Sequence, residues 1–442
     1  GHDPHPRRMR VAFYTLGCKV NQYETQALEQ LFAGRGHALV PFEGEADVYV
    51  VNSCAVTAVS DKKSRQAVRQ ARKRAPGAVI ALCGCYPQTH PEDMAGLPVD
   101  LVAGTGDRLG FVGLVERAWA ERRPVTALDD AMKRRAFEPL PAGGLEGRTR
   151  DMLKGEDGCV NFCTYCIIPY ARGPVRSLPL PDAAAQAARL AGEGYRELVL
   201  TGIEISSWGR DFRDGTSLID LVEAVCAAAP GCRIRLGSLE PRTITKDFCA
   251  RAARLDNLCP HFHLSMQSGC DATLARMNRK YDTARFMESI NLLWFAFEAP
   301  AVTTDMIVGF PGETEEDFSR SLDFVRECGF SAMHIFPYSR RPGTPAAAMD
   351  GQVPNAVKEE RARRAGEVAA RMEWEYLSRL VGEREEVLFE EERDGLWRGH
   401  TARYCKVGVR SGENLHNRLR NVQITGVERD YLLGELLNLE NR

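Results

Sequence analysis

The sequence predicts an α/β protein built from a doubly wound parallel sheet, then a partial (β/α)6 barrel, and finally a small β-barrel. Apolar runs alternate with helical patterns over the first 120 residues, and a second alternation begins near Met152. Short strand patterns punctuated by glycine end the chain. A length of 442 residues suits about three domains of ordinary size.

The amino-terminal part, 9–120, has the buried apolar runs of parallel strands separated by helical periodicity. A segment rich in Arg, Pro and Gly, 121–150, is expected to be a linker with little pattern of its own. The predicted strands are Val11–Gly17, Val48–Asn52, Val79–Cys83 and Val99–Ala103, and the predicted helices are Asn21–Ala33 and Ser60–Arg74.

The second part, 151–375, repeats a strand–helix unit six times, which is too few for a closed eight-stranded barrel but suits a partial one. Its functional site is expected at the carboxyl ends of the strands. The predicted strands are Met152–Glu156, Glu197–Thr201, Arg233–Gly237, His263–Gln267, Thr303–Val308 and Ala332–Pro337, separated by helices such as Pro181–Ala191, Ser217–Ala229 and Glu315–Cys328.

The last part, 376–442, follows a long charged helix near Val357–Leu380 and alternates in the manner of β-strands, which predicts a small barrel. The predicted strands are Glu385–Glu391, Leu396–Ala402, Lys406–Val409 and Val422–Val427.

The composition and net charge limit the kinds of function that the protein can have. The net charge of −2 means that any nucleic-acid contact must come from local basic patches. No apolar run reaches the ~18 residues of a membrane span, and the start lacks a secretory signal, so we expect a cytoplasmic protein. Fourteen cysteines in such a chain indicate metal or redox chemistry rather than a disulfide scaffold.

Three cysteines follow the first predicted barrel strand in a C-x3-C-x2-C spacing: Cys159, Cys163 and Cys166. Thiolates this close can hold one face of a four-iron cluster and leave the fourth iron open. The alternative is a zinc site, but zinc normally closes with four ligands and no second ligand pair follows nearby. The triplet closely resembles that of the radical S-adenosylmethionine (SAM) enzymes, in which the open iron binds the amino and carboxyl groups of SAM.

That resemblance implies further cofactor contacts around the triplet. Glu204 ends the second barrel strand and Gly309 follows the fifth, although a plain strand-end turn remains the alternative for both. The implied cofactor-binding residues are Tyr165, Glu204, Gln267, Arg279, Asp305 and Gly309.

A second set, Cys18, Cys54 and Cys85, is spread over 68 residues, yet each cysteine lies just after an apolar strand. Because the carboxyl ends of neighbouring parallel strands meet at one edge of a sheet, these thiols are expected to converge. Small buried hydrophobic packing is the alternative for any single cysteine. Cys83 competes with Cys85, and we prefer Cys85 because it lies beyond the strand.

Around these cysteines the chain resembles the methylthiotransferases over nearly its whole length. Ser53 and Met266 depart from the common threonine and proline, and neither departure removes a ligand. The motifs that carry the resemblance are Thr15–Gln22, Val51–Thr57, Lys63–Gln66, Gly84–Gln88, Asp157–Cys159, Ile167–Gly173, Leu264–Gly269, Phe336–Ser339 and Pro342–Pro345.

The resemblance implies two [4Fe-4S] clusters, with the one on Cys18, Cys54 and Cys85 as the sulfur source. It implies two molecules of SAM per turnover, one cleaved to a radical and one giving a methyl group. The carboxyl-terminal module would be a TRAM domain that binds RNA. The expected partners are a tRNA anticodon stem-loop, an electron donor such as a flavodoxin or ferredoxin, and a sulfur-supplying system, with no membrane.

Leu16–Glu24 most resembles the subgroup that methylthiolates C2 of N6-threonylcarbamoyladenosine at tRNA position 37. The alternatives are isopentenyladenosine in tRNA, an aspartate of a ribosomal protein, and a one-cluster radical enzyme with a binding domain at its amino terminus. Basic residues interleaved with aromatic ones in the last part of the chain favour RNA binding. The acidic run Glu390–Glu392 argues against it, and a solvated charged surface is the alternative. The predicted RNA-binding residues are Arg393, Trp397, Arg398, Arg403, Lys406, Arg410, Arg418 and Arg420.

Overall fold

The computed structural model describes residues 8–55, 58–143 and 148–438. Val56 and Thr57 of the motif around Cys54, and 144–147 of the predicted linker, lie outside the described residues. Within those ranges, no helix has the length and apolar character that crossing a bilayer requires.

The amino-terminal body is a six-stranded parallel sheet with helices on both faces, which confirms the doubly wound fold. Its strands are β1 (Arg10–Thr15), β2 (Ala38–Val40), β3 (Val48–Ser53), β4 (Val79–Gly84), β5 (Leu101–Ala103) and β6 (Val125–Ala127), in the order β2-β1-β3-β4-β5-β6. Its helices are α1 (Lys19–Gly34), α2 (Ala58–Arg74), α3 (Cys85–Thr89) and α4 (Phe111–Glu121). Strand β6 comes from the segment expected to be a linker, and it pairs in parallel with β5.

The middle body is a partial barrel of six parallel strands, as predicted. The strands are β7 (Arg150–Asp157), β8 (Arg176–Ser177), β9 (Glu197–Gly202), β10 (Arg233–Leu236), β11 (His261–Gln267), β12 (Ala301–Val308) and β13 (Ala332–Pro337). Of these, the short strand β8 pairs with β7 in antiparallel, and isolated bridges connect the β10 region with the β11 region. The helices are α5 (Ile168–Arg172), α6 (Leu180–Gly192), α7 (Leu218–Ala228), α8 (Lys246–Ala252), α9 (Asp271–Arg276), α10 (Thr283–Ala296), α11 (Glu315–Cys328) and α12 (Asn355–Arg379).

The carboxyl-terminal body is a closed five-stranded barrel, one strand more than the sequence predicted. The last strand completes closure by pairing with both of its neighbours, which leaves no free edge. The strands are β14 (Arg384–Arg393), β15 (Leu396–Thr401), β16 (Lys406–Arg410), β17 (Leu419–Glu428) and β18 (Tyr431–Leu436).

The small barrel closes the amino-terminal end of the partial barrel. Glu197, the first residue of β9, is fully buried and pairs with Arg150 at 2.5 Å and Arg235 at 2.8 Å. The Arg235 guanidinium also donates to the Ala402 carbonyl at 2.9 Å, and the Tyr404 ring stacks on His400 with centroids 4.5 Å apart. The opposite, carboxyl-terminal end of the partial barrel is therefore the end that meets the amino-terminal body.

Candidate active site

The cysteine triplet lies on the loop between β7 and α5, at the carboxyl end of the barrel. The Cys159 N–H donates to the Gly173 carbonyl at 3.0 Å, and the Cys166 N–H donates to the Cys163 carbonyl at 3.0 Å. Phe162 has a φ of 52°, a left-handed conformation that turns the chain sharply between the first two cysteines. Because of this folding, the three thiols lie close enough to interact electrostatically.

Two N–H groups point at sulfur atoms of the triplet. Arg279 Nη1 donates to Cys163 Sγ at 3.2 Å, and the Ile168 N–H donates to Cys166 Sγ at 3.4 Å. Hydrogen bonds of this kind set the potential of an iron–sulfur cluster. Burial raises the pKa of Cys166 to about 12 and raises that of Cys159 as well, so these thiols stay neutral until iron displaces their protons.

The second cysteine set lies at the carboxyl edge of the parallel sheet. Cys18 precedes α1, Cys54 follows β3, and Cys85 begins α3. Cys85 packs with Ile167 and Ala171 of the barrel, and its charge raises the pKa of Cys166, so the two sets face each other.

Cys83 occupies a different environment from Cys85. It lies inside β4 among the core side chains of one sheet face, such as Val48 and Val50, and its thiol donates to Asn52 Oδ1 at 3.7 Å. The geometry therefore favours Cys85 as the residue of the pair that faces the barrel.

Gly17 holds Cys54 in position, and its substitution gives a testable result. Its φ of +99° strains any other residue, and an added Cβ would lie 2.3 Å from both Cβ and Sγ of Cys54. We expect Gly17→Ala to displace the Cys54 thiol and reduce iron from about eight to about four atoms per chain, measured after anaerobic reconstitution. Gly34→Ala, with no atom within 4 Å of the added Cβ, is the matched control. Full iron content in Gly17→Ala would contradict this role.

A buried ionic network joins the amino-terminal body to the barrel beside both cysteine sets. Glu24 of α1 accepts from Arg172 Nη1 at 2.6 Å, from Lys154 Nζ at 3.0 Å and from Arg108 Nη2 at 2.9 Å. Burial alone would raise the pKa of Glu24, but these three cations outweigh burial and lower it well below its usual value. Asp157, which pairs with Lys154 at 2.8 Å, is the second carboxylate of the network.

The network fits an anionic group beside Cys85. Its four cations include Arg176, which lies 3.4 Å from Asp157, and they face two carboxylates, which leaves a buried excess of two positive charges. Arg172 Nε and Nη2 have no hydrogen-bond partner among the described residues, and the guanidinium interacts electrostatically with Cys85. A cluster held by thiolates would supply the missing negative charge and acceptors.

Within the described ranges, no group of three His, Cys, Asp or Glu side chains is arranged to hold a single metal ion.

Four predicted cofactor residues lie around the carboxyl end of the barrel. Glu204 accepts from Asn161 Nδ2 at 2.7 Å, and burial raises its pKa. Tyr165 packs edge-on against Phe310, and Gln267 has a φ of 68° at a bulge that ends β11. Arg279 is anchored by Ser265 and Tyr281 besides Cys163.

Gly309 and Asp305 have other immediate neighbours. The Gly309 N–H donates to Glu313 Oε1 at 3.0 Å, and the side chain of Lys358 occupies the space where a Cβ would point. Asp305 accepts from His263 Nε2 at 3.0 Å and lines a cavity inside the barrel. These neighbours are protein side chains, so the predicted cofactor-binding roles of Asp305 and Gly309 stay predictions.

The cavity has a volume of about 360 Å³ and lies between the barrel strands, the small barrel and Lys19 of the amino-terminal body. Polar groups form part of its wall: His263 Nδ1 hydrogen-bonds Thr303 Oγ1 at 2.7 Å, and His334 lies on a nearby strand. Burial, with Arg235 and Arg150 nearby, lowers the pKa of Lys19. Sequence reasoning missed Lys19, Glu24 and Arg172 as candidates, although each lies within a motif that carried the resemblance.

The predicted RNA-binding residues divide into two groups. Arg403 donates to the Ala299 and Glu298 carbonyls at 2.9 Å each and pairs with Glu385, so it docks the small barrel onto the middle body. Trp397 packs against the core of the small barrel, and Arg420 pairs with Glu413. The residues whose side chains are exposed are Arg393, Arg398, Arg410, Arg418 and Lys406, of which Lys406 also lines the cavity and pairs with Asp430.

Two family models match the chain. Residues 10–104 match a family described as uncharacterized protein family UPF0004, and residues 156–325 match the radical SAM superfamily. The threonylcarbamoyladenosine tRNA methylthiotransferase MtaB of Bacillus subtilis (strain 168) is 41% identical over 97% of this chain and 96% of its own length. The chain belongs to the radical SAM methylthiotransferase family. Its cofactors are SAM and two [4Fe-4S] clusters.

Further relatives bear on fold and substrate. A tRNA-2-methylthio-N(6)-dimethylallyladenosine synthase of Acetivibrio thermocellus is 33% identical over 96% of this chain and 90% of its own length. The solved structure of the radical SAM methyltransferase TsrM from Kitasatospora setae has a TM-score of 0.55 at 14% identity, covering 88% of this chain and 80% of that one. The second likeness concerns the fold alone.

Proposed function

We propose that this methylthiotransferase adds a methylthio group to C2 of N6-threonylcarbamoyladenosine at position 37 of tRNA. The observation that supports this substrate most is the 41% identity to a relative named for threonylcarbamoyladenosine, against 33% to one named for dimethylallyladenosine. The polar groups in the cavity wall agree with it, because a threonylcarbamoyl group carries a carboxylate and a hydroxyl, whereas a dimethylallyl group is hydrocarbon.

When bound, the two clusters and SAM supply a carbon-centred radical, the sulfur and the methyl group. The residues of the chain hold and orient these groups. Arg279 and the Ile168 N–H donate to the triplet thiols, and the Glu204 carboxyl lies near Cys159, where it can accept from the SAM amine. The amino-terminal body covers the carboxyl end of the barrel and keeps water from the reacting carbon.

A tRNA anticodon stem-loop is a suitable RNA partner for this arrangement. Position 37 lies in an unpaired loop, where a base can be turned out of its stack at a cost of about a few kcal/mol. We propose that the exposed cations Arg393, Arg398, Lys406, Arg410 and Arg418 form the phosphate-binding face of a TRAM-type domain. A flavodoxin or ferredoxin as electron donor, a sulfur-supplying system and a cytoplasmic location accompany this function.

The test is anaerobic turnover with SAM, a reductant and a stem-loop that carries threonylcarbamoyladenosine, followed by nucleoside mass spectrometry. We expect a methylthio derivative of that nucleoside, and none from the stem-loop with unmodified adenosine. If 5′-deoxyadenosine forms while the nucleoside keeps its mass, the proposed substrate is wrong.

A further inference from the structure

The cavity inside the barrel contains an ammonium group that no carboxylate neutralises. Lys19 lines the cavity and is solvent-exposed within it. Across the described ranges, no hydrogen bond or ion pair engages its side chain. A cation that lines a cavity without an ion-pair partner is a ready site for an anion.

Four of the other charged groups that line the cavity already have partners. Asp305 accepts from His263, and Lys406 pairs with Asp430 at 3.2 Å. Arg403 is held by Glu385 and two carbonyls. Glu373 interacts with Lys406 and Asp430 rather than with Lys19.

Positive charge dominates around Lys19 itself. Arg235 and Arg150 both act on it electrostatically, although Glu197 between them is shared by these two arginines. Asp305 is the remaining acidic neighbour, and its oxygen already accepts from an imidazole. An incoming carboxylate would meet a field of favourable sign, whereas a hydrocarbon group would leave the Lys19 ammonium without a partner.

The position of Lys19 in the chain ties recognition to chemistry. It directly follows Cys18, and consecutive Cα atoms are about 3.8 Å apart. The residue that would bind the substituent and a residue of the second cysteine set therefore lie next to each other at the start of α1. His334, which lines the same cavity, is placed to hydrogen-bond the rest of a polar substituent.

We infer that Lys19 binds the carboxylate of the threonylcarbamoyl substituent and thereby selects this nucleoside over adenosines with neutral or hydrocarbon substituents. The inference rests on the proposed function and names the residue that would read the substrate. Lys19 contacts the substrate at a group that does not react, so its loss weakens binding of one substrate form and not of others.

The experiment measures the affinity of the reconstituted enzyme for two stem-loops. One carries threonylcarbamoyladenosine and the other carries the same nucleoside with its carboxylate converted to an amide. We expect the wild type to bind the carboxylate form about ten- to hundredfold more tightly than the amide. Lys19→Met should lose that factor for the carboxylate form and leave the amide unchanged, and Lys19→Arg should retain much of it.

Lys246→Met, on the exposed start of α8, is the matched control and should change neither affinity. Iron content of about eight atoms per chain verifies that both clusters are present in each variant. Equal loss for both stem-loops would assign Lys19 to the RNA backbone and overturn the inference. Equal affinity of the wild type for the two forms would overturn it without any variant.

Failure of the inference and failure of the proposed function give different results. If the wild type methylthiolates the threonylcarbamoyl nucleoside but Lys19→Met binds it normally, only the role of Lys19 is wrong. If the wild type does not methylthiolate it, the proposed function itself is wrong.

Discussion

We expect Cys85→Ala to abolish the methylthio product while 5′-deoxyadenosine continues to form, and to lower the iron content from about eight to about four atoms per chain. The reason is the separation of the two cysteine sets: Cys85 belongs to the sheet edge, whereas the triplet on the β7–α5 loop stays complete. The measurement combines iron analysis with quantification of both products after anaerobic reconstitution.

Cys83→Ala is the matched control, because the two cysteines are two residues apart and both are buried. Cys83 lies in the sheet core, so this variant should keep its iron and its product at a small cost in stability. If Cys83→Ala loses four irons and Cys85→Ala does not, the assignment at the sheet edge is reversed.

Glu24→Gln has the largest expected effect on stability. It keeps the size of the side chain but leaves Arg108, Lys154 and Arg172 buried with Asp157 as the remaining carboxylate of the network. Removing one partner of a buried ion pair costs about 3–5 kcal/mol in the free energy of unfolding. Anaerobic denaturant titration of the apoprotein measures this loss.

Glu29→Gln, on the same helix and partly exposed, is the control and should change the free energy of unfolding by less than about 0.5 kcal/mol. The two variants should also differ with pH. The pKa of Glu24 is lowered on folding, so its contribution is present above its unfolded pKa and is lost as pH falls through the folded value. An acid profile of Glu24→Gln that matches the wild type would contradict this account.

The sequence predicted the strands of the middle barrel because each is a buried apolar run bounded by helices. It missed β18 (Tyr431–Leu436), which pairs in parallel with β16 although β17 lies between them in the chain. It also missed β6, three residues at the edge of the first sheet, in a stretch whose composition indicates a linker. Short edge strands depend on pairing partners more than on their own pattern.

The convergence of the strand-end cysteines could be anticipated, because parallel strands end at one edge. The contacts that give the site its charge could not be anticipated from the sequence. Glu24 and Arg172 are separated by 148 residues, and each reads locally as an ordinary surface charge. The same holds for Tyr404, one of the aromatic residues interleaved with the basic ones, whose ring stacks on His261 of the middle barrel with centroids 5.4 Å apart.

The most direct test of the central claim is competition between two stem-loops in one anaerobic reaction. One carries threonylcarbamoyladenosine and the other dimethylallyladenosine, and nucleoside mass spectrometry reports which gains a methylthio group. Lys19 and the polar groups in the cavity wall predict that the threonylcarbamoyl nucleoside is modified and the dimethylallyl nucleoside is left unchanged. Preferential modification of the dimethylallyl nucleoside would contradict the proposed substrate while leaving the two-cluster chemistry in place.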